Sequence, residues 1–317
     1  MIAPHPREIA GMRVLGLGHC PLDETYRTDR VVTSPAALSE LGPPAVRAGG
    51  GAVGNTLCLL AALGHECHMV ANAGDDDRAD FLAAEFRGFG VTPHLVRKPG
   101  RATPRFAMLV DPAGRRRSVL DWNNAPSDIT AEDAAGAVPA GLGTFDLLVT
   151  EMRKSAAAEL MSRTRRTVYN GQSHRVGDRK RAALGEMLAR CSLAVLCEEF
   201  LRSYWELPPH RPLDRGHLEL PAPVVIATLG GSGLVARSGE AFFRQPIPAP
   251  VTVADTTGAG DAFLGALLHR LGPDLPGDPQ RLESACSAAQ RVAGICCSHL
   301  GARGYLSAPT AVRAAAE

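Results

Sequence analysis

The sequence predicts an α/β fold: a parallel sheet covered by helices on both faces, with a small second sheet lying over the main domain. Two observations predict it. Short apolar runs alternate with helical stretches across short connections, and two segments with proline and glycine turns interrupt that alternation. The 317 residues are read as one domain, 1–317, with those segments inserted at about 22–47 and 94–122.

Residues 13–18 (RVLGLG) form an apolar run ending in glycine, the pattern of a buried strand that feeds a loop. The glycine triplet 49–51 precedes a helical stretch at 54–63, where Asn55 and Thr56 stand ready to satisfy free backbone donors. A strand at 68–71, a helix at 77–88 and a turn at Phe89-Gly90 follow. Further β-like runs fall at 146–150, 167–170, 193–196 and 224–229, with helical patterns at 155–166 and 178–190 between them. Within the inserted segments, 105–110 pairs with 116–121 across a D-P-A-G turn.

Composition excludes several classes. Apolar residues make up 45% and charged residues 21%, ordinary globular values, and the formal net charge of +1 gives no field for nucleic acid or membrane surfaces. No uncharged apolar stretch approaches the roughly 18 residues of a membrane span. The polar N-terminal MIAPHPREIAGMR lacks the apolar core of a secretory signal and reads as a frayed leader. Eight scattered cysteines without a C-x-x-C pair read as reduced, buried thiols of a cytoplasmic protein. His65 and His68 flank Cys67 without the second ligand pair that zinc requires.

The chemistry concentrates at 255–261, DTTGAGD. Gly258 and Gly260 permit a sharp turn with exposed N–H groups, and the helix that follows, read as 261–271, adds partial positive charge at the same place. A carboxylate there is favoured in its charged form. Asp261 is thus placed to take a proton from a hydroxyl approaching an anion held by the turn, which suits phosphoryl transfer. As a fragment this remains open to a plain helix cap. Neither G-x-G-x-x-G after the first strand nor G-x-x-x-x-G-K-[ST] occurs, so a nucleotide site must be of another kind.

Four ordered blocks carry a resemblance. ADTTGAGDAF resembles the C-terminal signature of the ribokinase-like (PfkB) carbohydrate kinases, and RAGGGAVGNTLCLLAALG at 47–64 resembles their G-G-x-x-x-N-x-A signature. GHCPLD at 18–23 places Asp23 where the family grips substrate hydroxyls, and TLGGSG at 228–233 is similar to its nucleotide-side turn. The resemblance implies a Rossmann-like three-layer α/β/α core with a β lid, ATP as donor and Mg2+. It makes Asp261 the base, with Gly258, Ala259 and Gly260 as the anion hole. Asp23, Gly50, Gly51 and Asn55 become sugar contacts, and Thr228, Gly230 and Gly233 nucleotide contacts. Asp255 falls where some members bind a monovalent cation such as K+, alongside the backbone near Gly301; a simple turn-forming bond is the other reading.

Other expectations are positional. Thr103 and Arg105 begin the second lid strand and are expected to face the sugar, and Asn170 and Arg175 follow a strand end on the phosphate side. Arg115, Arg116 and Arg117 are solvated charge, or at least one of them reaches a substrate or phosphate oxygen. The family's N-x-x-E, tied to Mg2+, is replaced by Cys197-Glu198-Glu199-Phe200, with Glu198 or Glu199 as substitutes. Ala79 in GDDDRADF and the segment 289–301 lean towards ketohexokinases. The expected activity is ATP-dependent phosphorylation of a primary hydroxyl of a small sugar (ketose, aldose or sugar acid), with a lid-paired homodimer implied by resemblance. A nucleoside kinase, which an apolar lid would favour, and a non-catalytic sensing relative are the alternatives. Arg97, Lys98, Arg101, Arg105 and 115–117 make the lid read as basic, favouring a sugar, an anionic or already phosphorylated one included.

Overall fold

The computed structural model describes residues 11–28, 44–112, 116–121, 129–152, 154–171, 178–208, 211–275 and 278–317. The D-P-A-G turn, Arg115 and Arg175 fall wholly or partly outside them.

In chain order the first strands are β1 (Arg13–Leu17), β2 (Leu22–Arg27) and β3 (Val46–Gly49), then helix α1 (Ala52–Ala62). β4 (Glu66–Gly74), α2 (Asp77–Gly88), β5 (Val91–Lys98), β6 (Arg105–Val110) and β7 (Arg116–Asp121) follow. The middle contains α3 (Ala131–Ala137), β8 (Phe145–Thr150), α4 (Lys154–Ser162), β9 (Thr164–Gly171), α5 (Asp178–Leu188), β10 (Leu193–Cys197) and α6 (Glu198–Trp205). The chain ends with β11 (Val224–Thr228), β12 (Leu234–Ser238), β13 (Ala241–Gln245), α7 (Ala259–Leu271), α8 (Pro279–Cys297) and α9 (Pro309–Ala316).

The large sheet runs β13-β12-β11-β10-β9-β8-β1-β4-β5. It is parallel from β11 to β5, and β12 and β13 close one edge as antiparallel strands. Strand residues alternate between two cores, as period-two geometry requires. Val14, Met69, Leu147, Val195 and Ile226 pack with α1, α2, α7, α8 and α9 on one face. Leu15, Val70, Leu148, Leu196 and Val225 pack with α3 to α6 on the other. The chain leaves β1 towards β4 and β5, then returns to β8 on the opposite side. The crevice beyond the ends of β1 and β8 is therefore the switch point at which open α/β sheets bind ligands.

The small sheet runs β3-β2-β6-β7, with β2 and β6 parallel and the outer pairs antiparallel. The predicted pairing of 105–110 with 116–121 is present. The second lid segment starts later than expected: 94–98 belongs to β5, hydrogen-bonded along β4 at the edge of the large sheet. Arg97 there pairs with Asp80 and Lys98 with Asp133, so neither charge belongs to the lid. The helix expected at 155–166 stops at Ser162, because β9 begins at Thr164. The leader reading also shortens: Met12 is buried and donates its N–H to His65 Nδ1 at 3.0 Å, so the fold starts before β1.

Candidate active site

Gly258 carries φ 78° at the cap of α7, a left-handed conformation that glycine adopts without strain, and a Cβ there would lie 2.7 Å from the Ala302 Cα. The Ala259 N–H turns back to the Thr256 carbonyl at 3.3 Å, which removes it from the expected anion hole. Gly260, in the first turn of a 13-residue helix, has no carbonyl one turn earlier within that helix; its N–H and the helix dipole point out of the same end.

Asp261 sits in that first turn, 7% exposed. Asn55 Nδ2 donates to Asp261 Oδ2 at 2.9 Å, and Thr56 Oγ1 donates to the Asp261 carbonyl at 3.2 Å, so α1 and α7 are tied at Asp261 itself. Burial raises the Asp261 carboxyl to about 7; the Asn55 hydrogen bond opposes that, Glu151 adds to it, Asn170 opposes it and Asp23 adds again. This reverses the sequence expectation of a carboxyl held in its charged form by the helix end. Desolvation outweighs the dipole when the group is this deeply enclosed. The outcome suits a general base better, since a base works best near the operating pH.

The sugar-side residues converge on the same point. A Cβ on Gly50 would fall on the Asp23 carboxylate, so the absent side chain lets the carboxylate lie against the turn. Gly51 has φ 90° and passes against the His19 carbonyl. Across the switch-point crevice, Glu151 at the end of β8 accepts the His19 N–H at 2.8 Å. Two members of the cluster were not found from sequence. Glu151 had a signal, a carboxylate one residue past a predicted strand. Arg303 had none, although its Nε donates to Asn55 Oδ1 at 3.0 Å and its Nη1 to Glu85 Oε2 at 2.5 Å. Asn170, fully buried at the end of β9, approaches Asp261, and neither atom of its amide completes a hydrogen bond of ordinary geometry.

On the nucleotide side, Thr228 ends β11 and donates its hydroxyl to the Leu196 carbonyl at 3.4 Å. Gly230 and Gly233 both have positive φ, 55° and 89°. Gly233 is packed on the Gln245 carbonyl and Pro246, which leaves no room for a side chain, whereas Gly230 faces open space.

Asp255 is fully buried, and hydrogen-bond donors meet both of its oxygens. Thr257 N–H at 2.9 Å and Thr257 Oγ1 at 2.6 Å reach Oδ1, and Gly301 N–H at 2.9 Å reaches Oδ2. This is the turn-forming arrangement, and it holds the carboxylate by three donors. The magnesium side departs from the family set as well. Cys197 Sγ caps α6 through the Phe200 N–H at 3.4 Å, Phe200 is buried, and Glu198 pairs with Arg202 at 2.5 Å. Among the described residues no three His, Cys, Asp or Glu side chains converge as a metal-holding group. A protein cage is not what Mg2+ needs, since one or two carboxylates with the phosphates of ATP and water suffice; Glu198 and the exposed Glu199 are the carboxylates here that would hold it, and no step below runs through it.

Two expected sugar contacts are placed elsewhere. The Thr103 hydroxyl is fully buried, accepting from the Gly74 N–H at 3.0 Å and donating to Asp76 Oδ1 at 2.6 Å, which pins the chain before β6 to the cap of α2. Arg105 stands opposite Leu22 in register, whereas Asp23 stands opposite Phe106. Successive residues point to opposite faces, so Arg105 lies on the far side of the lid, paired with Glu24 at 3.3 Å and Asp121 at 3.4 Å. The face shared with Asp23 contains Thr25, Arg27, Phe106, Met108 and Leu120, with Ser118 and Arg116 at register positions further along β7. It is turned to the large domain, because the Thr257 hydroxyl reaches Met108 Sδ at 3.8 Å. Beside Asp23 that face is apolar, and at its other end Arg27 and Arg116 stand opposite Val110.

A largely parallel α/β sheet with a buried carboxyl at a helix N-terminus beside its switch-point crevice is an arrangement suited to phosphoryl transfer to a hydroxyl. Residues 15–310 match the pfkB family carbohydrate kinases, and the chain belongs to that family. It is 27% identical over 277 residues to the aminoimidazole riboside kinase of Salmonella typhimurium, covering 82% of this chain and 85% of that protein. It is 28% identical over 290 residues to the 1-phosphofructokinase of Rhodobacter capsulatus, again covering 82% and 85%. The structure of ribokinase from Giardia lamblia superposes with a TM-score of 0.76 at 17% identity, covering 96% of this chain and 98% of that one, which shows the shared fold. The chain is thus an enzyme of the ATP-dependent sugar and nucleoside kinase class, whose members generally use ATP with Mg2+. Among the described residues no helix is long and apolar enough to cross a membrane.

Proposed function

We propose that the protein transfers the γ-phosphoryl group of ATP to a primary hydroxyl of a small sugar unit. The observation that carries this is the Asp261 carboxyl, raised to about 7 beside the N-terminus of α7 and held by Asn55. Asp261 takes the proton of the acceptor hydroxyl, and the oxygen forms a bond to the γ-phosphorus. The bond from that phosphorus to the β–γ bridging oxygen breaks, and its electron pair leaves with ADP. The Gly260 N–H and the helix end stabilise charge on the transferring group. Asp23, Gly50, Gly51, Asn55 and Glu151 orient the sugar, while Thr228, Gly230 and Asn170 flank the phosphate chain. The lid excludes water and protects ATP from hydrolysis. ADP release measured against ketoses, aldoses, sugar acids and nucleosides tests the reading. ATP binding without turnover on any of them would favour a non-catalytic sensor instead.

A second reading concerns the acceptor. Of the charges that argued for a plain or anionic sugar, Arg105 and Arg117 stand on the far face and Arg116 lies at the other end of the Asp23 face, while Phe106 and Leu120 stand beside Asp23 itself. Leu120 is 48% exposed although it shares the face of Asp23, an apolar surface with room for a ligand. This favours a sugar that carries an apolar, flat substituent, as a nucleoside does. The ketohexokinase-like features do not favour a ketose: Ala79 is a buried residue whose N–H meets the Asp76 cap of α2, away from Asp23 and Gly50. A homodimer through the lids is kept as part of the proposal. Val119, 53% exposed on the outer face, supports it, and light scattering of the purified protein checks it.

A further inference from the structure

The buried arginine behind the sugar-side turn is unused by the chemistry above. Its side chain is 2% exposed, and every polar contact is directional: Nε to Asn55 Oδ1 at 3.0 Å, Nη1 to Glu85 Oε2 at 2.5 Å and Nη2 to the Gly50 carbonyl at 3.3 Å. The guanidinium lies over the rings of Phe86 at 4.9 Å and Phe89 at 5.8 Å. Glycines open its path, since a Cβ at Gly49 would lie 2.6 Å from Nη1 and one at Gly54 3.2 Å from Nη2. The glycine-rich stretch 49–54 therefore accommodates an arginine from the far end of the chain as well as a ligand.

We infer that Arg303 is a positioning residue for the base, acting through Asn55. A guanidinium only donates, so Asn55 must present its oxygen to Arg303 and its NH2 to Asp261. Without that lock the amide is free to turn over and place its oxygen against the carboxylate. Glu85 holds the guanidinium from the other side and also accepts the Gly49 N–H at 2.5 Å, so the arginine, the turn and the amide form one rigid unit. The inference rests on the proposed role of Asp261 as base. Other groups bear on that carboxyl: Glu151 after β8, Asp23 on β2, Asn170 on β9, Cys296 on α8 and Tyr305. The Asn55 variant separates an effect routed through that amide from theirs.

The experiment compares the pH dependence of kcat/KM for wild type, Arg303→Met, Asn55→Ala and the double variant. A carbon-13 side-chain titration of the Asp261 carboxyl in the ligand-free protein runs alongside. Arg303→Met is expected to move the Asp261 titration upward by about one to two pH units, the effect of losing a hydrogen bond to a charged group. At pH 6 this lowers kcat/KM about tenfold or more. In the Asn55→Ala background the arginine change should add no further shift. An unmoved titration in Arg303→Met, or an equal shift without Asn55, overturns the inference. If the methionine variant does not fold, Arg303→Lys decides alone: it keeps the charge beside Glu85, so an upward shift supports the role and an unmoved titration refutes it. The carbon-13 titration needs no turnover, so its result stands even if the kinase reading fails.

Discussion

Asn55 and Asp261, 206 positions apart, share a buried hydrogen bond of 2.9 Å that joins the start of α1 to the start of α7. One half of the bond comes from the sugar-side signature and the other from the transfer turn. In the proposed mechanism the same amide that meets a substrate hydroxyl also holds the group that deprotonates it. Asp261→Asn should keep the fold and the Asn55 contact while removing the proton acceptor. Turnover is expected to fall by about a thousandfold, within the range of general-base losses, with acceptor affinity nearly unchanged. Single-turnover kinetics with isothermal titration of the acceptor checks both halves, and near-normal turnover would show that the base lies elsewhere.

The raised Asp261 carboxyl also has a sign for stability. Its folded value, about 7, lies above the unfolded value, so the protein binds this proton more tightly when folded. That contribution is complete below the unfolded value and is lost as pH rises through about 7. Asp261→Asn removes the burden of an ionised carboxylate, so the variant should gain stability over wild type at pH 8 by roughly 1–3 kcal/mol. At pH 4 the gain should vanish. Melting curves of the two proteins across that interval test it, and a gain that is equal at both pH values would contradict the titration.

The Gly50 position gives a steric prediction. A Cβ there would fall on the Asp23 carboxylate, and the residue's N–H is already committed to the Pro21 carbonyl at 2.8 Å. Gly50→Ala should displace Asp23 from the ring of sugar contacts. The expected result is a rise in acceptor KM of about tenfold or more with a smaller change in kcat, since a lost ground-state contact acts mainly on binding. An alanine variant with unchanged acceptor KM would mean that Asp23 does not touch the sugar.

The two faces of the lid predict opposite outcomes for neighbouring residues. Phe106→Ala should weaken nucleoside-like acceptors by about 1–2 kcal/mol while changing small unsubstituted sugars little, because only the former have an apolar surface to lose. Arg105→Ala, on the outer face among Glu24 and Asp121, should leave acceptor KM within about twofold. Comparing KM for a riboside and a free sugar in both variants decides the matter. Equal effects of Phe106→Ala on both substrates would remove the apolar-acceptor reading.

What the sequence made legible was local. Gly258, Gly260 and Asp261 form a turn and helix start whose chemistry is contained in seven consecutive residues, and the alternation of β1, α1 and β4 follows from apolar periodicity. The parts that stayed hidden depend on distant contacts or on register. Glu151 acts through His19, 132 positions away, and Arg303 through Asn55, 248 positions away. Arg105 looked like a sugar contact because it begins a lid strand, but its face is set by pairing with Leu22 rather than Asp23. A shift of one residue in that register would have placed it over the site. Thr103 failed for a related reason, since its hydroxyl is taken by Asp76 and Gly74, partners that only the fold brings near.

Asp255 sits six residues before the base and clamps the turn from behind. Its carboxylate receives the Thr257 N–H and hydroxyl at one oxygen and the Gly301 N–H at the other, with no exposure to solvent. Gly301 begins the short loop that supplies Ala302, the residue against which Gly258 is packed, so the clamp fixes both walls of the anion turn. Asp255→Ala would leave three donors without their acceptor in a buried place. A loss of about 2–4 kcal/mol is expected, since each unsatisfied buried donor carries about 1–3 kcal/mol and the chain relaxes in part. Asp255→Asn keeps an acceptor at one oxygen and should lose less. If the turn is the functional consequence, kcat should fall with the extent of the loss while acceptor KM holds, because the phosphate cradle moves and the sugar ring of Asp23, Gly50 and Asn55 does not. Urea melts paired with steady-state kinetics for both variants measure this. A variant that is destabilised yet has unaltered kcat would show that the anion turn keeps its shape without the clamp.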